Sequence, residues 1–139
     1  MSIQDVTVDI DVGGIIAEVK EAVRPGLRAV AEEVAATARS TAAFVDKTGE
    51  LRKSIRVEDP GQDAPFLLVR AGEYGYSSKH YSPHAHLIEF GHAKVTPGGL
   101  VLGFTPARPF MAPAAIEVSE RADEIAAQAM RPVDIKVGG

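Results

Sequence analysis

Four histidines, His80, His84, His86 and His92, fall within thirteen residues, and they are all the histidines in the chain. Neutral imidazole is a common zinc or nickel ligand, so metal binding is the first chemistry this spacing suggests. The backbone decides whether it is available. On a helix His84 and His86 stand about 200° apart and cannot share one ion. On an extended chain they share a face, with Glu89 or His92 as a third ligand. Solvated or interface histidines are the plainer reading; a histidine-dependent metal-binding module or small metalloenzyme is the alternative function.

Other chemistries have weaker signals. Ser77, Ser78 and Ser82 lie near histidines, but none sits in the strand-to-helix elbow that exposes a nucleophilic serine. Glu89, between Ile88 and Phe90, would become an acid or base if burial raised its pKa, yet such carboxylates more often cap or pair locally. Gly98-Gly99 lacks the lysine and following helix of a phosphate loop. The chain has no cysteine, so it holds no disulfide, thiolate nucleophile or cysteine-bound zinc, and nothing ties it to an oxidising compartment. No catalytic, cofactor-binding or metal-ligating residue is assigned.

The elements that must position these residues follow from composition and period. At 139 residues, with 45% hydrophobic and 24% charged residues, the sequence suits one globular domain. Its net charge of −4 gives no basic patch of the kind nucleic-acid binders display. The acidic, alternating start has no secretory pattern, and no apolar run approaches the roughly 18 residues of a membrane span.

Val6, Val8, Ile10 and Val12 alternate with polar residues and predict a strand. From Ile15 the apolar residues Ile16, Val19, Val23, Leu27, Val30, Val34 and Ala38 recur at helical spacing. Arg24-Pro25-Gly26 predicts a kink or a division into two helices, the second running from Leu27 to about Phe44. Thr48 to Leu51 reads as a turn, and Arg52 to Glu58 as a strand that pairs with Phe66–Val69 through the Asp59 to Asp63 loop.

Glu73 to Ser82 is a polar loop bearing Tyr74, Tyr76 and Tyr81, a residue type common at contact surfaces. Ser82 suits a helix cap, Pro83 the first helical position and Gly91 the residue after the last turn, which predicts a short helix from His84 to Phe90. Thr96-Pro97-Gly98-Gly99 suits a type II turn in a hairpin flanked by Val95, Leu100, Leu102 and Phe104. A final helix holds Met111, Ala115, Val118, Ala122, Ile125 and Met130 and stops at Pro132. The tail, residues 131–139, alternates again as an edge strand or an arm. The expected fold is α+β: a small mixed, mainly antiparallel sheet packed by a kinked N-terminal helix and a C-terminal helix. Residues 73–105 form the projecting part, with Phe90 as a core residue at its base.

Three segments carry a family resemblance. Thr48-Gly49-Glu50-Leu51-Arg52-Lys53-Ser54-Ile55 resembles a Thr-Gly-x-Leu-x-x-Ser-Ile segment. Tyr81 followed by Ala85, then Glu89-Phe90-Gly91, resembles a Tyr-Ala and Glu-Phe-Gly pair. Arg108-Pro109-Phe110-Met111-Ala112-Pro113-Ala114 resembles an Arg-Pro-Phe-x-x-Pro-Ala lead into a last helix. Together they resemble the small tail-component family of long-tailed double-stranded DNA bacteriophages named for gene product ten of the Hong Kong lambdoid phage. Where that family often has threonine this chain has His92, and where it has proline before Thr-Gly this chain has Val45-Asp46-Lys47.

The resemblance implies a structural virion protein: a ring of about six identical subunits at the head–tail junction that joins tail to head. Its partners would be copies of itself and other neck and tail-tube proteins, with DNA passing through unbound and no membrane contact. It implies assembly in the host cytoplasm and no cofactor. Motif and interface candidates are Thr48, Gly49, Leu51, Tyr81, His84, His86, Glu89, Phe90, Gly91, Arg108, Pro109, Phe110 and Pro113. Mild acidity fits a lumen that does not hold phosphate, an expectation that a ring of Arg52, Lys53 or Arg56 around the lumen would overturn.

Overall fold

Asp11 opens the longest element. Its carboxylate accepts the Gly14 amide at 3.0 Å, satisfying one donor that a helix start leaves open, and helix α1 runs from Val12 to Arg39. The computed structural model describes residues 10–61, 63–75 and 77–132. Most of the expected first strand, and all of the alternating tail from Val133, lie outside those residues. At the strand's described end, Val12 is already helical.

Pro25 does not divide α1, which continues through it. The helix buries Ala22, Gly26, Ala31, Ala35 and Ala38, a side of small residues that lets its neighbours lie close. That packing outweighs the roughly 3 kcal/mol that an interior proline costs a helix. At Gly26 a Cβ would stand 2.7 Å from Met130 Cγ and 2.8 Å from the Ala126 carbonyl oxygen, so glycine here serves close approach and not a break. The helix also ends earlier than expected. Arg39 is its last residue, and Phe44 turns back from the following loop into the core.

Asp46 explains the next departure. Its carboxylate accepts the amides of Gly49 at 3.0 Å and Arg52 at 2.8 Å, so residues expected in a turn and strand instead form helix α2, Glu50–Ser54. Strand β1 is correspondingly short, Arg56–Glu58, and pairs antiparallel with β2, Leu68–Arg70, matching Val57 to Val69. The ribbon is tied to α1 through Asp59, whose carboxylate meets the guanidinium groups of Arg24 and Arg28. The Gly61 amide first, then the two arginines, holds the Asp59 carboxyl below the usual carboxylate range.

Helix α3, Ala85–Phe90, follows the tyrosine loop. Its cap position is His84, not Ser82. Ser82 is fully buried, its hydroxyl donating to the His80 carbonyl at 2.8 Å and accepting the Glu73 amide at 3.2 Å. Strands β3, His92–Val95, and β4, Val101–Thr105, form the second ribbon. The left-handed residue of its turn is Gly99, at φ 89°, while Gly98 has no positive φ, so the turn is not type II.

The last helix is two. Helix α4, Met111–Ser119, stops short of Arg121, and α5 follows as Ala122–Ala129. Arg121 sits at the break with its guanidinium 2.9 Å from Glu33 on α1, and further on the Arg131 amide donates to the Ala22 carbonyl. Both α4 and α5 pack against α1, with α5 reaching Gly26 and the residues after it Ala22. The α+β class stands, but among the described residues the strands form two separate antiparallel ribbons, not one mixed sheet. The core gathers Ala35, Ala38, Phe44, Leu51, Ile55, Ala85, Phe110 and Ala114.

Candidate functional site

Helix α4 begins without a local cap. Phe110 holds the cap position, its side chain accepts no hydrogen bond, and the first turn has no acidic residue. The missing acceptor comes from Glu89, 21 to 23 residues earlier, whose carboxylate accepts the amides of Phe110 at 2.8 Å and of Met111 and Ala112 at 3.0 Å. A negative charge on three open donors at a helix start is favoured by both hydrogen bonding and the helix dipole. Glu89 is therefore a capping residue, not an acid or base.

The neighbours of Glu89 complete the joint. The Arg108 amide donates to the Ile88 carbonyl at 2.8 Å. Gly91 has φ 73°, and a Cβ on it would stand 2.7 Å from the Thr105 carbonyl oxygen and 2.8 Å from the Ala107 amide nitrogen. Only glycine lets the chain leave α3 this close to the returning strand. Phe90 is the exception: it is 79% exposed and not in the core. The buried ring at this joint is Phe110, which meets Phe44 edge on with centroids 4.9 Å apart.

The Thr48 to Ile55 segment closes the other side. Leu51 and Ile55 are buried against the two phenylalanines, and Arg52 lies over the Phe44 ring at 4.7 Å. Arg52 also donates to the Arg39 carbonyl at 2.6 Å and to the Phe44 carbonyl at 3.1 Å, which secures the loop between α1 and α2. Thr48 accepts the Glu50 amide, and Gly49 takes left-handed backbone at the head of α2. The three motif segments thus converge on one hub around Phe44 and Phe110.

The histidines disperse. His80 Nδ1 is 2.7 Å from Glu50 Oε2, His84 opens α3 on the surface, His86 faces Tyr74 with ring centroids 6.2 Å apart, and His92 begins β3 exposed. Among the described residues no three histidine, aspartate or glutamate side chains gather as a ligand set. Tyr81 is half-buried, while the side chains of Arg108, Pro109 and Pro113 are exposed. Phe44 and Arg52 were missed as hub residues, because a ring five positions beyond a helix end carries no periodic signal. Glu89's partner had one: a helix start with no capping residue asks for an acceptor from elsewhere.

Beyond the joint, β3 and β4 pack chiefly on each other. Val95, Leu100, Val101, Leu102 and Phe104 are all exposed, Phe104 to 76%. A hub with its polar atoms satisfied therefore holds out an apolar ribbon. Among the described residues no helix is long and apolar enough to cross a membrane.

Comparison with known proteins agrees with the motif segments. No individual curated protein and no solved structure matches the chain. Among protein families, residues 14–91 match the one described as "Bacteriophage HK97-gp10, putative tail-component". That span takes in α1, the Thr48 to Ile55 segment and Glu89-Phe90-Gly91; the Arg108 to Ala114 segment lies beyond it and joins the same hub through the Glu89 cap. With more than half of its length matched, the chain belongs to the bacteriophage HK97-gp10 tail-component family.

Proposed function

We propose that this phage structural protein is a non-enzymatic ring subunit of the head–tail junction, where it completes the tail and joins it to the head. The observation that supports this most is the apolar ribbon at Val95 and Leu100–Phe104, held away from the core by the Glu89 joint. A monomer gains nothing from five large apolar side chains on a projection, whereas a subunit that buries them against a neighbour does. The ring would sit in the virion after assembly in the host cytoplasm, in contact with other neck and tail-tube proteins.

DNA passes through this ring without being held. Of the cations that would bind phosphate, Arg52 is committed to carbonyls of the hub, and Arg56 to the Ser54 and Gly72 carbonyls and to Glu58. Only Lys53 of the three is largely exposed, and it lies 3.8 Å from Glu50.

The test is the mass of the untagged protein by light scattering across a concentration series, with negative-stain images and purified tail tubes added in a parallel series. The expected result is a closed ring of about six subunits, alone or on the tube end. A protein that stays monomeric in both series would refute the assignment.

A further inference from the structure

The chain exposes a second apolar surface, far from the ribbon. On the N-terminal half of α1, Val12, Ile16, Val19 and Val23 recur at spacings of four, three and four and are all exposed. Beside them the Ala64–Pro65 segment closes a trough of about 230 Å³, lined by Val19, Val23, Leu27, Ala64 and Pro65 together with the charged residues Lys20, Arg24 and Asp63. Its walls are apolar and its volume suits one aromatic side chain.

We propose that the β3–β4 ribbon of one copy docks on the α1 trough of the next, with Phe104 seated between Val19, Val23 and Pro65. This rests on the ring-forming reading and supplies its interface.

Three observations favour a second copy as the occupant. The hub that carries the ribbon lies at the Ala35–Ala38 end of α1, and at about 1.5 Å per residue Val19 is roughly 28 Å along the helix from Ala38, so a chain's own ribbon stands away from its own trough. The lengths are close: Val12 to Val23 spans about 16 Å of helix, and Val101 to Thr105 about 14 Å of strand. Charge does not add to the match: the ribbon from His92 to Thr105 has Lys94 and no acid, and the trough has Asp63 beside Lys20 and Arg24, the last paired with Asp59.

The third observation is symmetry. Two unlike surfaces at different ends of one molecule make a head-to-tail contact, which leads to a ring when the rotation closes. Even all five side chains, which alternate between the two faces of the ribbon, would cover only on the order of 500 Å², below the ~800 Å² each partner gives to a stable pair. A single contact is then weak, and ring closure, which makes the last contact intramolecular, completes the assembly.

Complementation tests the pairing. Phe104→Asp removes the ribbon's anchor but leaves the trough, and Val19→Asp does the reverse; both sites are exposed, so circular dichroism and melting should match the parent. Each variant alone should associate at least about tenfold more weakly. A mixture should give one-to-one dimers at high protein concentration and no ring, since only one sound contact forms per pair. Because the chain has no cysteine, Phe104→Cys in one copy and Val19→Cys in another should form an intermolecular disulfide under mild oxidation. A wild-type oligomer that survives both aspartate substitutions overturns the pairing and leaves the ring standing. A cross-linked pair that never closes supports the pairing and counts against the ring. Absence of the cross-link at high protein concentration overturns the pairing.

Discussion

The hub around Phe44 and Phe110 and the ribbon from His92 to Thr105 adjoin at Gly91, which lies against the returning chain at Thr105–Ala107, yet they are built on opposite terms. In the hub, apolar side chains are buried and polar groups have partners: Ser54 bonds to the Leu51 carbonyl and the Gly72 amide, and Glu89 to three amides. In the ribbon, apolar side chains face outward and the strands bond mainly to each other. The difference separates what makes the chain fold from what makes it useful. Hub residues should be read in stability, and ribbon residues in association.

Phe110→Ala should strike hardest. It empties the centre of the hub and should cost about 3–5 kcal/mol in chemical denaturation, enough to unfold a marginal domain. Glu89→Ala comes next, at about 1–2 kcal/mol, because three first-turn amides lose their acceptor; Glu89→Gln should keep part of that through its amide oxygen. Equal melting of Glu89→Ala and parent would mean the cap is not what holds α4 at the joint.

Asp59→Asn tests a smaller effect with a pH signature. The folded carboxyl titrates below its unfolded counterpart, so its contribution is complete above the unfolded value and fades as pH falls through the folded one. Melting curves should show the parent losing stability below about pH 4, with that acid limb shallower in Asp59→Asn. The pair is exposed, so the neutral-pH change should be slight. Phe90→Ala should be smallest, within about 0.5 kcal/mol, as for other exposed positions. A loss of several kcal/mol there would place Phe90 in the hub after all and blur the boundary at Gly91.

Much of this organisation was legible in the sequence. The helical spacing from Ile15 to Ala38, the glycine after Phe90, and the Pro-Gly-Gly turn each act over a few residues, and each gave the right element. The departures share a cause: a distant partner overrode the local signal. Pro25-Gly26 looks like a break until Met130 and Ala126 fill the space a side chain would occupy. Arg52 looks like strand until Asp46 caps the turn before it. Ser82 looks like a cap until it is buried under Glu73 and His80.

The site divides along the same line. The motif segments located the hub, but not its wiring, since a 21-residue separation between Glu89 and Phe110 has no periodic trace. Phe90 looks like core because it is a large apolar residue between Glu89 and a helix-ending glycine. It occupies the outward side of a helix only six residues long, where one step of rotation moves a side chain from hub to solvent.

The Glu89 cap has a mechanical consequence. The carboxylate that ends one helix grips the start of the next, and the ribbon springs from the gap between them, so a load on the ribbon is passed to α4 through three short bonds and the Arg108–Ile88 backbone link. Helix α4 leads through the Arg121–Glu33 pair to α1, whose far half carries the trough. With neighbours at the ribbon and the trough, as proposed above, this chain of contacts would carry a pull at one surface to the other.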